Sequence, residues 1–273
     1  MTDRYAVIGQ PISHSKSPTI HNAFAQATHQ DLRYEAVEVP AGTLADALQR
    51  LHGDGFLGVN ITLPHKADAP MLCEMISERA QLAGAVNTLI RSDAGWRGDN
   101  TDGEGLIRDL QRLAYAIKDQ HVLVLGSGGA VRGMIAPLLA EQPASLTVSN
   151  RSPWTPEKLA EQFRTVGTVT PRTHATLKGD RFDLIINATS AGHAGVMPRI
   201  PAGVLAKGGA CYDLTYGTAH APFRKWAEAQ GATRIADGLG MLVEQAAAAF
   251  ALWRGVRPET ETVLASLRPS QGA

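Results

Sequence analysis

The sequence predicts an α/β protein in which parallel strands alternate with helices, arranged as two domains. Apolar runs of four to six residues alternate with segments of helical period along nearly the whole chain, which is the pattern of βαβ units. One apolar run leads directly into a glycine-rich turn and a helix. The length of 273 residues is sufficient for two mid-sized domains.

Eight apolar runs have the length and composition of buried strands. They are Tyr5–Ile8, Tyr34–Val39, Gly58–Thr62, Val86–Ile90, Val122–Leu125, Ser145–Val148, Leu184–Asn187 and Ala210–Leu214. Between them, six segments have the apolar spacing of amphipathic helices. These are Pro18–Ala27, Leu44–Leu51, Gly103–Leu113, Val131–Ala140, Glu157–Phe163 and Pro222–Ala229.

The boundary between the domains is predicted at the polar stretch from Gly98 to Gly103. No Pro-, Gly- or Ser-rich linker and no repeat marks a boundary elsewhere. This stretch is rich in turn residues, leads into a helix and precedes the strand that ends at the glycine-rich turn. We therefore expect the first domain to end at residue 101 and a second sheet to follow.

Charge and composition narrow the possible partners. The 26 Lys and Arg residues balance 26 Asp and Glu residues, so neither nucleic acid nor a membrane is expected as a partner. Cys73 and Cys211 are far apart and lack metal-ligand spacing, which predicts free buried thiols and no metal site. The N-terminus has no charged and apolar leader, and the most apolar helix, Ala246–Trp253, is too short to span a bilayer. We therefore expect a cytoplasmic protein.

The glycine-rich turn has the order of elements that a dinucleotide site requires. The strand His121–Leu125 runs into Gly126-Ser127-Gly128-Gly129-Ala130 and then a helix. Glycines let the backbone approach a pyrophosphate, and the helix N-terminus offers free N–H groups. Val131 replaces the third glycine of the standard fingerprint, and a glycine-rich turn that binds nothing has a similar sequence.

The ends of two further strands add to the predicted cofactor site, and the first of them favours NADP over NAD. Asn150-Arg151-Ser152 stands where NAD sites place an acidic residue for the ribose 2′-hydroxyl. A guanidinium without a carboxylate suits a 2′-phosphate, although Arg151 could also be an ordinary surface charge. The strand Phe182–Asn187 ends in a loop, Ala188–Gly192, that lines the nicotinamide side or is a plain polar turn.

Lys66 is the candidate for proton transfer. It follows the strand Gly58–Thr62 after Pro64, which predicts a position in the first turn of a helix, where the dipole disfavours an additional positive charge. That placement favours a lysine that exchanges a proton, and Asp102 is the candidate partner. The alternative interpretation is that Lys66 is an ordinary surface lysine without a catalytic role.

A set of neutral polar side chains accompanies this pair. Ser15, Ser17, Asn60, Thr62, Asn87 and Gln245 offer many donors and acceptors and suit a small polyhydroxylated ligand. Asn60 and Thr62 alternate along one strand, so both are expected to face the same side. Ser17 before Pro18 also has a structural interpretation, as the N-cap of the following helix.

Nine motifs, in this order along the chain, resemble those of the shikimate dehydrogenases. These are NADP-dependent enzymes that reduce 3-dehydroshikimate to shikimate on the route to chorismate and the aromatic amino acids. The resemblance covers nearly the whole chain, and several of the motifs are far more specific than a glycine-rich turn. They are GQPISHSKSPTIHNAF, GVNITLPHK, LAGAVNTL, GDNTDGEGL, GSGGAVRG, NRS, DLIINATSAG, CYDLTYG and ADGLGMLVEQAA.

The resemblance implies a role for each candidate residue. Lys66 would be the proton donor in the reduction, with Asp102 as its partner. The substrate carboxylate would bind Ser15, Ser17 and Tyr216, and its ring hydroxyls Asn60, Thr62, Asn87, Asp102 and Gln245. NADP would bind through Gly126, Ser127, Gly128, Gly129 and Ala130 at the pyrophosphate, Asn150, Arg151 and Ser152 at the 2′-phosphate, and Thr189, Leu214, Gly238 and Met241 near the nicotinamide.

The family also implies a discontinuous substrate-binding and catalytic domain, residues 1–101 plus 238–273. A Rossmann-like NADP-binding domain would comprise residues 102–237, with the active site in the cleft between the domains. The sequence departs from the family at Ser127, where alanine is usual, and at Thr155, where many members have a second basic residue. Lys158 is a candidate to replace that missing charge.

Two other functions remain open from the sequence. A quinate/shikimate dehydrogenase that uses NAD would share most of these residues, but Ser15, Ser17 and Arg151 favour the shikimate and NADP form. A non-catalytic protein that binds the dinucleotide would need neither Lys66 nor Asp102. No exposed apolar stripe distinguishes a monomer from a homodimer.

Overall fold

The structure, a computed structural model, describes residues 2–268. Its strands in that range are β1 (Asp3–Gly9), β2 (Leu32–Glu38), β3 (Phe56–Ile61), β4 (Met75–Ile76), β5 (Thr88–Arg91), β6 (Trp96–Asp99), β7 (His121–Leu125), β8 (Ser145–Asn150), β9 (Val169–Thr173), β10 (Phe182–Asn187), β11 (Leu205–Asp213) and β12 (Arg234–Ala236). Its α-helices are α1 (Ser17–Ala27), α2 (Leu44–Gly53), α3 (Glu78–Ala83), α4 (Asp102–Arg112), α5 (Gly129–Ala140), α6 (Trp154–Phe163), α7 (Ala221–Ala229), α8 (Leu239–Arg254) and α9 (Glu261–Leu267).

The chain divides into two units, each built around its own sheet. The first unit contains the residues up to Gly105 together with those from Leu242 onward, and the second runs from Leu106 to Met241. Both boundaries fall inside helices, α4 and α8, rather than in loops.

The first sheet has the strand order β2-β1-β3-β5-β6-β4 and is mixed. β1 pairs in parallel with β2 and β3, whereas β5 pairs antiparallel with β3 and with β6. Ser92–Gly95, which joins β5 to β6, is long enough for a hairpin but far too short for a parallel crossover. The prediction of parallel strands therefore holds for β1, β2 and β3 and is wrong at β5, which is antiparallel to both of its neighbours.

Both faces of the first sheet are buried, as the alternation along β1 illustrates. Ala6 and Ile8 pack in one apolar cluster, and Tyr5 and Val7 pack in another on the opposite face. Helix α2 covers the first face through Leu44, Ala47, Leu48 and Leu51, which recur at the spacing of one helix side. This packing fixes β3, which leads to Lys66.

The second sheet is parallel at each strand pair and has the order β12-β11-β10-β7-β8-β9. Counted from β7, this is the 3-2-1-4-5-6 order of the doubly wound Rossmann fold. The order reverses between β7 and β10, and the carboxyl ends of strands at such a point form the ligand crevice in open α/β sheets. The glycine-rich turn after β7 lies at that position.

The eight predicted strands and six predicted helices are all present, with shifted ends. The strands β4, β6, β9 and β12 were not predicted, because they are short or carry polar residues. None of the helices within residues 2–268 has the length and hydropathy needed to cross a membrane. Both cysteines are free, and Cys211 is buried whereas Cys73 is only partly buried. Burial raises the pKa of Cys211 to about 12 and that of Cys73 to about 11.

Candidate active site

Lys66 and Asp102 form an ion pair in the first unit, with 2.6 Å between Nζ and Oδ2. The lysine side chain is 15% exposed and the carboxylate side chain 5% exposed. Asp102 is the first residue of α4, where the positive end of the helix dipole stabilises a carboxylate. The pair is thus largely shielded from water but accessible at the lysine.

The turn that carries Lys66 is shorter than predicted. β3 ends at Ile61, and His65–Ala67 is a single 3₁₀ turn instead of the start of an α-helix. A turn of three residues has no appreciable macrodipole, so the predicted dipole effect on Lys66 is wrong. Two buried contacts hold the turn: His65 Nε2 lies 2.8 Å from the carbonyl oxygen of Val39, and Val86 N donates to the carbonyl of Lys66 at 2.9 Å.

A buried carboxylate fixes the loop that delivers Asp102 to this pair. Asp99 Oδ1 accepts hydrogen bonds from Ser77 Oγ at 2.6 Å, Arg79 Nε at 2.6 Å and Asn100 N at 2.7 Å. Burial tends to raise the pKa of Asp99, but the hydrogen bonds from Arg79 and Ser77 hold it below its ordinary value. Asp99 therefore stays charged and anchors the residues just before Asp102.

Asn87 and Gln245 lie beside the carboxylate of Asp102. Asn87 Nδ2 donates to Asp102 Oδ1 at 2.8 Å and to Thr101 Oγ1 at 2.9 Å, and it is 3.5 Å from Gln245 Oε1. Asn87 Oδ1 accepts from the backbone N–H of Thr101 at 2.9 Å. Four of the predicted site residues, Lys66, Asn87, Asp102 and Gln245, are thus brought together.

Asn60 is buried on β3 and already has protein partners. Its Oδ1 accepts from the hydroxyl of Tyr34 at 2.7 Å, and its Nδ2 donates to the carbonyl of Asn87 and to Thr88 Oγ1, both at 3.1 Å. Both amide hydrogens are therefore engaged, and only Oδ1 retains capacity to accept from a ligand. Thr62 lies just past the end of β3 and is partly exposed.

Ser15 and Ser17 lie at the start of α1, in the same unit. The helix begins at Ser17, and its N-cap residue is Lys16, so the interpretation of Ser17 as N-cap is wrong. Ser15 Oγ instead accepts from the backbone N–H of Ser17 at 3.2 Å. Burial raises the pKa of Tyr34 well above its ordinary value, an effect that the neighbouring Ser17 hydroxyl partly offsets.

His21 on α1 is fully buried, and neither ring nitrogen has a hydrogen-bond partner among the described residues. Its ring stacks on Tyr34 with 4.2 Å between centroids, and Phe24, Phe250 and Trp253 lie around it. Burial lowers the pKa of His21 to about 3, despite the neighbouring Asn60 side chain. The folded protein therefore holds this histidine neutral.

This histidine should make the folded protein sensitive to acid. Below its ordinary pKa of 6.5 the unfolded chain binds a proton that the folded chain excludes until about pH 3, so stability should fall with pH in that window. The contribution amounts to about 2 kcal/mol by pH 5. Urea unfolding from pH 7.5 to 5 should show a shallower loss for His21→Phe than for the wild type, with equal pH responses above pH 7. Parallel stability curves down to pH 5 would contradict this.

The glycine-rich turn of the second unit fits a dinucleotide. Gly126 has φ +108°, and a Cβ there would lie 2.8 Å from the carbonyl oxygen of Ala188. Gly128 precedes α5 and has open space where a side chain would be, so the first N–H groups of that helix remain available. A pyrophosphate needs both features, a close backbone approach and free donors.

The next loop presents the residues predicted for a 2′-phosphate. Asn150 Nδ2 donates to Ser127 Oγ at 2.6 Å, and Asn150 Oδ1 accepts from Arg151 N at 2.8 Å. The serine that departs from the family pattern therefore has a partner within the site. Arg151 is exposed at the carboxyl end of β8. Burial of His174, together with the positive charge of Arg151, lowers the pKa of His174. Lys158 is exposed on α6.

The residues predicted near the nicotinamide lie after β10, β11 and β12. Thr189 Oγ1 donates to Asn187 Oδ1 at 2.8 Å, and Leu214 N donates to the carbonyl of Asn187 at 2.8 Å. A Cβ at Gly238 would lie 2.1 Å from the carbonyl oxygen of Leu214. These three loops therefore pack together, and only glycine fits at position 238.

Tyr216, Ser152 and Met241 have less defined surroundings. Tyr216 follows Leu214 and Thr215 after β11, and burial raises its pKa. Ser152 is partly buried beside Arg151, and Met241 is buried on α8. All three belong to the second unit, so Tyr216 lies in a different unit from Ser15 and Ser17.

Three family models match this chain. Residues 7–89 match the shikimate dehydrogenase substrate binding domain, residues 109–199 match shikimate / quinate 5-dehydrogenase, and residues 238–268 match the shikimate 5′-dehydrogenase C-terminal domain. A protein of Nitrosospira multiformis named shikimate dehydrogenase (NADP(+)) is 47% identical, over 100% of this chain and 100% of its own length. The chain belongs to the shikimate dehydrogenase family.

Solved structures support the same fold. An Ael1 enzyme from Pseudomonas putida superposes with a TM-score of 0.90 at 42% identity, covering 99% of this chain and 100% of that one. A shikimate 5-dehydrogenase from Thermus thermophilus, solved in complex with NADP(H) and shikimate, gives 0.82 at 32% identity over 97% and 98% of the two chains. The two-domain α/β fold with a Rossmann-like sheet is thereby confirmed.

Sequence reasoning missed two polar residues that contact the site. The sequence pattern places Tyr34 only in a strand, although its hydroxyl donates to Asn60 Oδ1. Thr88 was treated as part of an apolar run, although its hydroxyl lies between Asn60 and Asn87. A polar residue at a fully buried strand position is the signal that could have indicated either one.

Proposed function

We propose that this protein catalyses the reversible reduction of 3-dehydroshikimate to shikimate with NADPH, a step of chorismate and aromatic amino-acid biosynthesis, in the cytoplasm. The observation that carries the proposal is the shielded ion pair of Lys66 and Asp102 in a setting of neutral polar side chains. A ketone reduction needs a proton donor at the carbonyl oxygen, and Lys66 is the group that can supply it.

Lys66 transfers one proton in each direction. In the reduction its ammonium donates a proton to the oxygen of the substrate ketone, and in the oxidation its neutral amine accepts the proton of the hydroxyl. Asp102 holds the amine in place at 2.6 Å and compensates its positive charge. Asn87 and Arg79 act indirectly. Asn87 donates a hydrogen bond to Asp102, and Arg79 donates to Asp99, which anchors the loop before Asp102.

The substrate binds through hydroxyls and amides in this proposal. Ser15 and Ser17, with Tyr216, hold the carboxylate, because hydroxyl donors bind an anion without the repulsion of an acidic side chain. Thr62 and Gln245 contact ring hydroxyls together with Asp102, whereas Asn87, predicted for the same role, acts through Asp102 because both of its amide hydrogens bind protein groups. Asn60 contributes only an acceptor atom, since both of its amide hydrogens bind protein groups.

NADPH, when bound, supplies the hydride. The N–H groups at the start of α5 hold its pyrophosphate, with Gly126 and Gly128 allowing the close approach. Arg151, with Asn150 and Ser152, holds the 2′-phosphate, and Thr189, Leu214, Gly238 and Met241 shape the nicotinamide site. The first unit accordingly is the substrate-binding domain and the second the NADP-binding domain.

A matrix of steady-state rates tests this function. The wild-type protein should oxidise shikimate with NADP⁺ at a kcat/KM far above that for quinate or for NAD⁺, followed by the absorbance of the reduced cofactor. A higher kcat/KM for quinate with NAD⁺ would identify a quinate/shikimate dehydrogenase instead. No turnover with any pair, despite tight NADP binding, would identify a non-catalytic dinucleotide-binding protein.

A further inference from the structure

A continuous chain of buried hydrogen bonds joins Tyr34 to the carboxylate of Asp102. The Tyr34 hydroxyl bonds Asn60 Oδ1 at 2.7 Å, and Asn60 Nδ2 bonds Thr88 Oγ1 at 3.1 Å. Thr88 Oγ1 bonds Asn87 Oδ1 at 2.8 Å, and Asn87 Nδ2 bonds Asp102 Oδ1 at 2.8 Å. All five side chains are buried, and all belong to the first unit.

Two backbone groups fix the donor-to-acceptor direction of this series of hydrogen bonds. The carbonyl of Asn87 can only accept, so the atom of Asn60 that contacts it must be Nδ2. The backbone N–H of Thr101 can only donate, so the atom of Asn87 that contacts it must be Oδ1. Because both amides are oriented in this way, the hydroxyl of Tyr34 must donate to Asn60 Oδ1 and the hydroxyl of Thr88 must donate to Asn87 Oδ1.

Every donor in the chain therefore points toward Asp102. Aligned hydrogen bonds in a buried setting polarise one another, and here each one increases the positive charge on the Asn87 amide hydrogen that contacts the carboxylate. The other oxygen of Asp102 is bound to Lys66. The carboxylate is thus held from both sides, by a neutral chain at Oδ1 and by the amine at Oδ2.

We infer that Thr88 and Tyr34 are positioning residues for the Lys66–Asp102 pair, acting through this one-directional hydrogen-bond relay. Neither touches the amine or carboxylate, and neither has an assigned role. The inference rests on the function proposed above and extends it by two residues. Because the relay acts on Asp102, its loss affects the proton step that kcat reports and leaves cofactor binding unchanged.

A matched pair of substitutions at Thr88 tests the relay. Thr88→Val keeps the shape of the side chain and removes the hydroxyl, whereas Thr88→Ser keeps the hydroxyl and removes a methyl group. Thr88→Val should lower kcat about tenfold, the effect of one net hydrogen bond, with KM for NADPH unchanged. Thr88→Ser should retain kcat within about twofold, although the lost methyl group of a fully buried residue lowers its melting temperature.

Tyr34→Phe tests the far end of the relay and has a natural control. Tyr5 pairs with Tyr34 across β1 and β2 and is equally buried, but its hydroxyl oxygen accepts a hydrogen bond from Arg254 instead. Tyr34→Phe should lower kcat about threefold, less than Thr88→Val because it breaks a more distant link, while Tyr5→Phe should leave kcat unchanged.

If the wild type turns over, the proposed function stands, and three results with the variants would still overturn the inference. These are full kcat in Thr88→Val, a loss in Thr88→Ser as large as in Thr88→Val, or equal losses in Tyr34→Phe and Tyr5→Phe. The last two would indicate that packing, and not the donated hydrogen bond, is what matters at these positions. Absence of turnover in the wild type would instead contradict the proposed function itself.

Discussion

Replacing Lys66 with methionine should lower kcat for shikimate oxidation by roughly three orders of magnitude. Methionine retains most of the side-chain packing but has no proton to exchange, and general acid–base catalysis typically contributes about 10²- to 10⁴-fold. Lys66→Ala should show the same loss. Stopped-flow and steady-state rates, with folding monitored by circular dichroism, provide the measurement.

The KM values separate this prediction from a loss of binding. Lys66 is expected to act in the transition state, so the KM for NADP⁺ should not change and binding of shikimate should remain largely intact. Lys118→Met, at an exposed lysine in the second unit, is the control and should retain wild-type rates. Near-normal turnover of Lys66→Met would remove this residue from the mechanism.

Replacing Arg151 with alanine should raise the KM for NADPH by about 10- to 100-fold. A hydrogen bond to a charged group is worth about 1.5–3 kcal/mol, and most of that range corresponds to a factor between about 10 and 100. The KM for NADH should not change, because NADH has no phosphate at this position. The ratio of kcat/KM for NADPH over NADH, measured with 3-dehydroshikimate, should therefore fall by the same factor.

Two cations near Arg151 in sequence, Lys158 on α6 and Arg164 directly after it, serve as comparisons for Arg151. Arg164 pairs with Glu161 at the end of the helix, and Arg164→Ala should not change the cofactor ratio. Lys158→Ala should lower the ratio only if this exposed lysine replaces the basic residue that Thr155 does not provide. An unchanged ratio in Arg151→Ala would show that the preference for NADP arises elsewhere.

Candidate residues for the chemistry could be proposed from the sequence because their signals are local. The glycines after β7 and the absence of an acidic residue after β8 are properties of a few consecutive residues, and they favoured NADP without a structure. The family motifs added roles for Lys66 and Asp102. Their ion pair could only be proposed, because it depends on how β3 and the start of α4 meet.

The features that were mispredicted depend on pairing between distant segments. β6 is four residues long and contains Arg97, Gly98 and Asp99, so it lacks the apolar run that indicates a strand. Without it, the hairpin and the antiparallel order of β5 could not be predicted. The hydrogen bond between Asn60 and Thr88 has the same origin, since these residues are direct partners in the antiparallel register of β3 and β5.

The 3₁₀ turn at Lys66 illustrates a further limit. Pro64 was expected to open an α-helix, but Asp68 and Pro70 follow closely, and the chain forms two short 3₁₀ turns, His65–Ala67 and Ala69–Leu72. A proline within the next turn removes a backbone donor and interrupts α-helical hydrogen bonding. Such a conflict between neighbouring residues is resolved by tertiary contacts, which no local pattern contains.

Lys66 and Asp102 are proposed to act as one unit in proton transfer, and a double-mutant cycle on kcat measures this directly. Lys66→Met, Asp102→Asn and the double variant should be compared with the wild type at one pH, with saturating shikimate and NADP⁺. If the two residues act together, the double variant should be no slower than Lys66→Met alone. If the losses of the single variants multiply in the double variant, the two residues act independently and the proposed proton chemistry is contradicted.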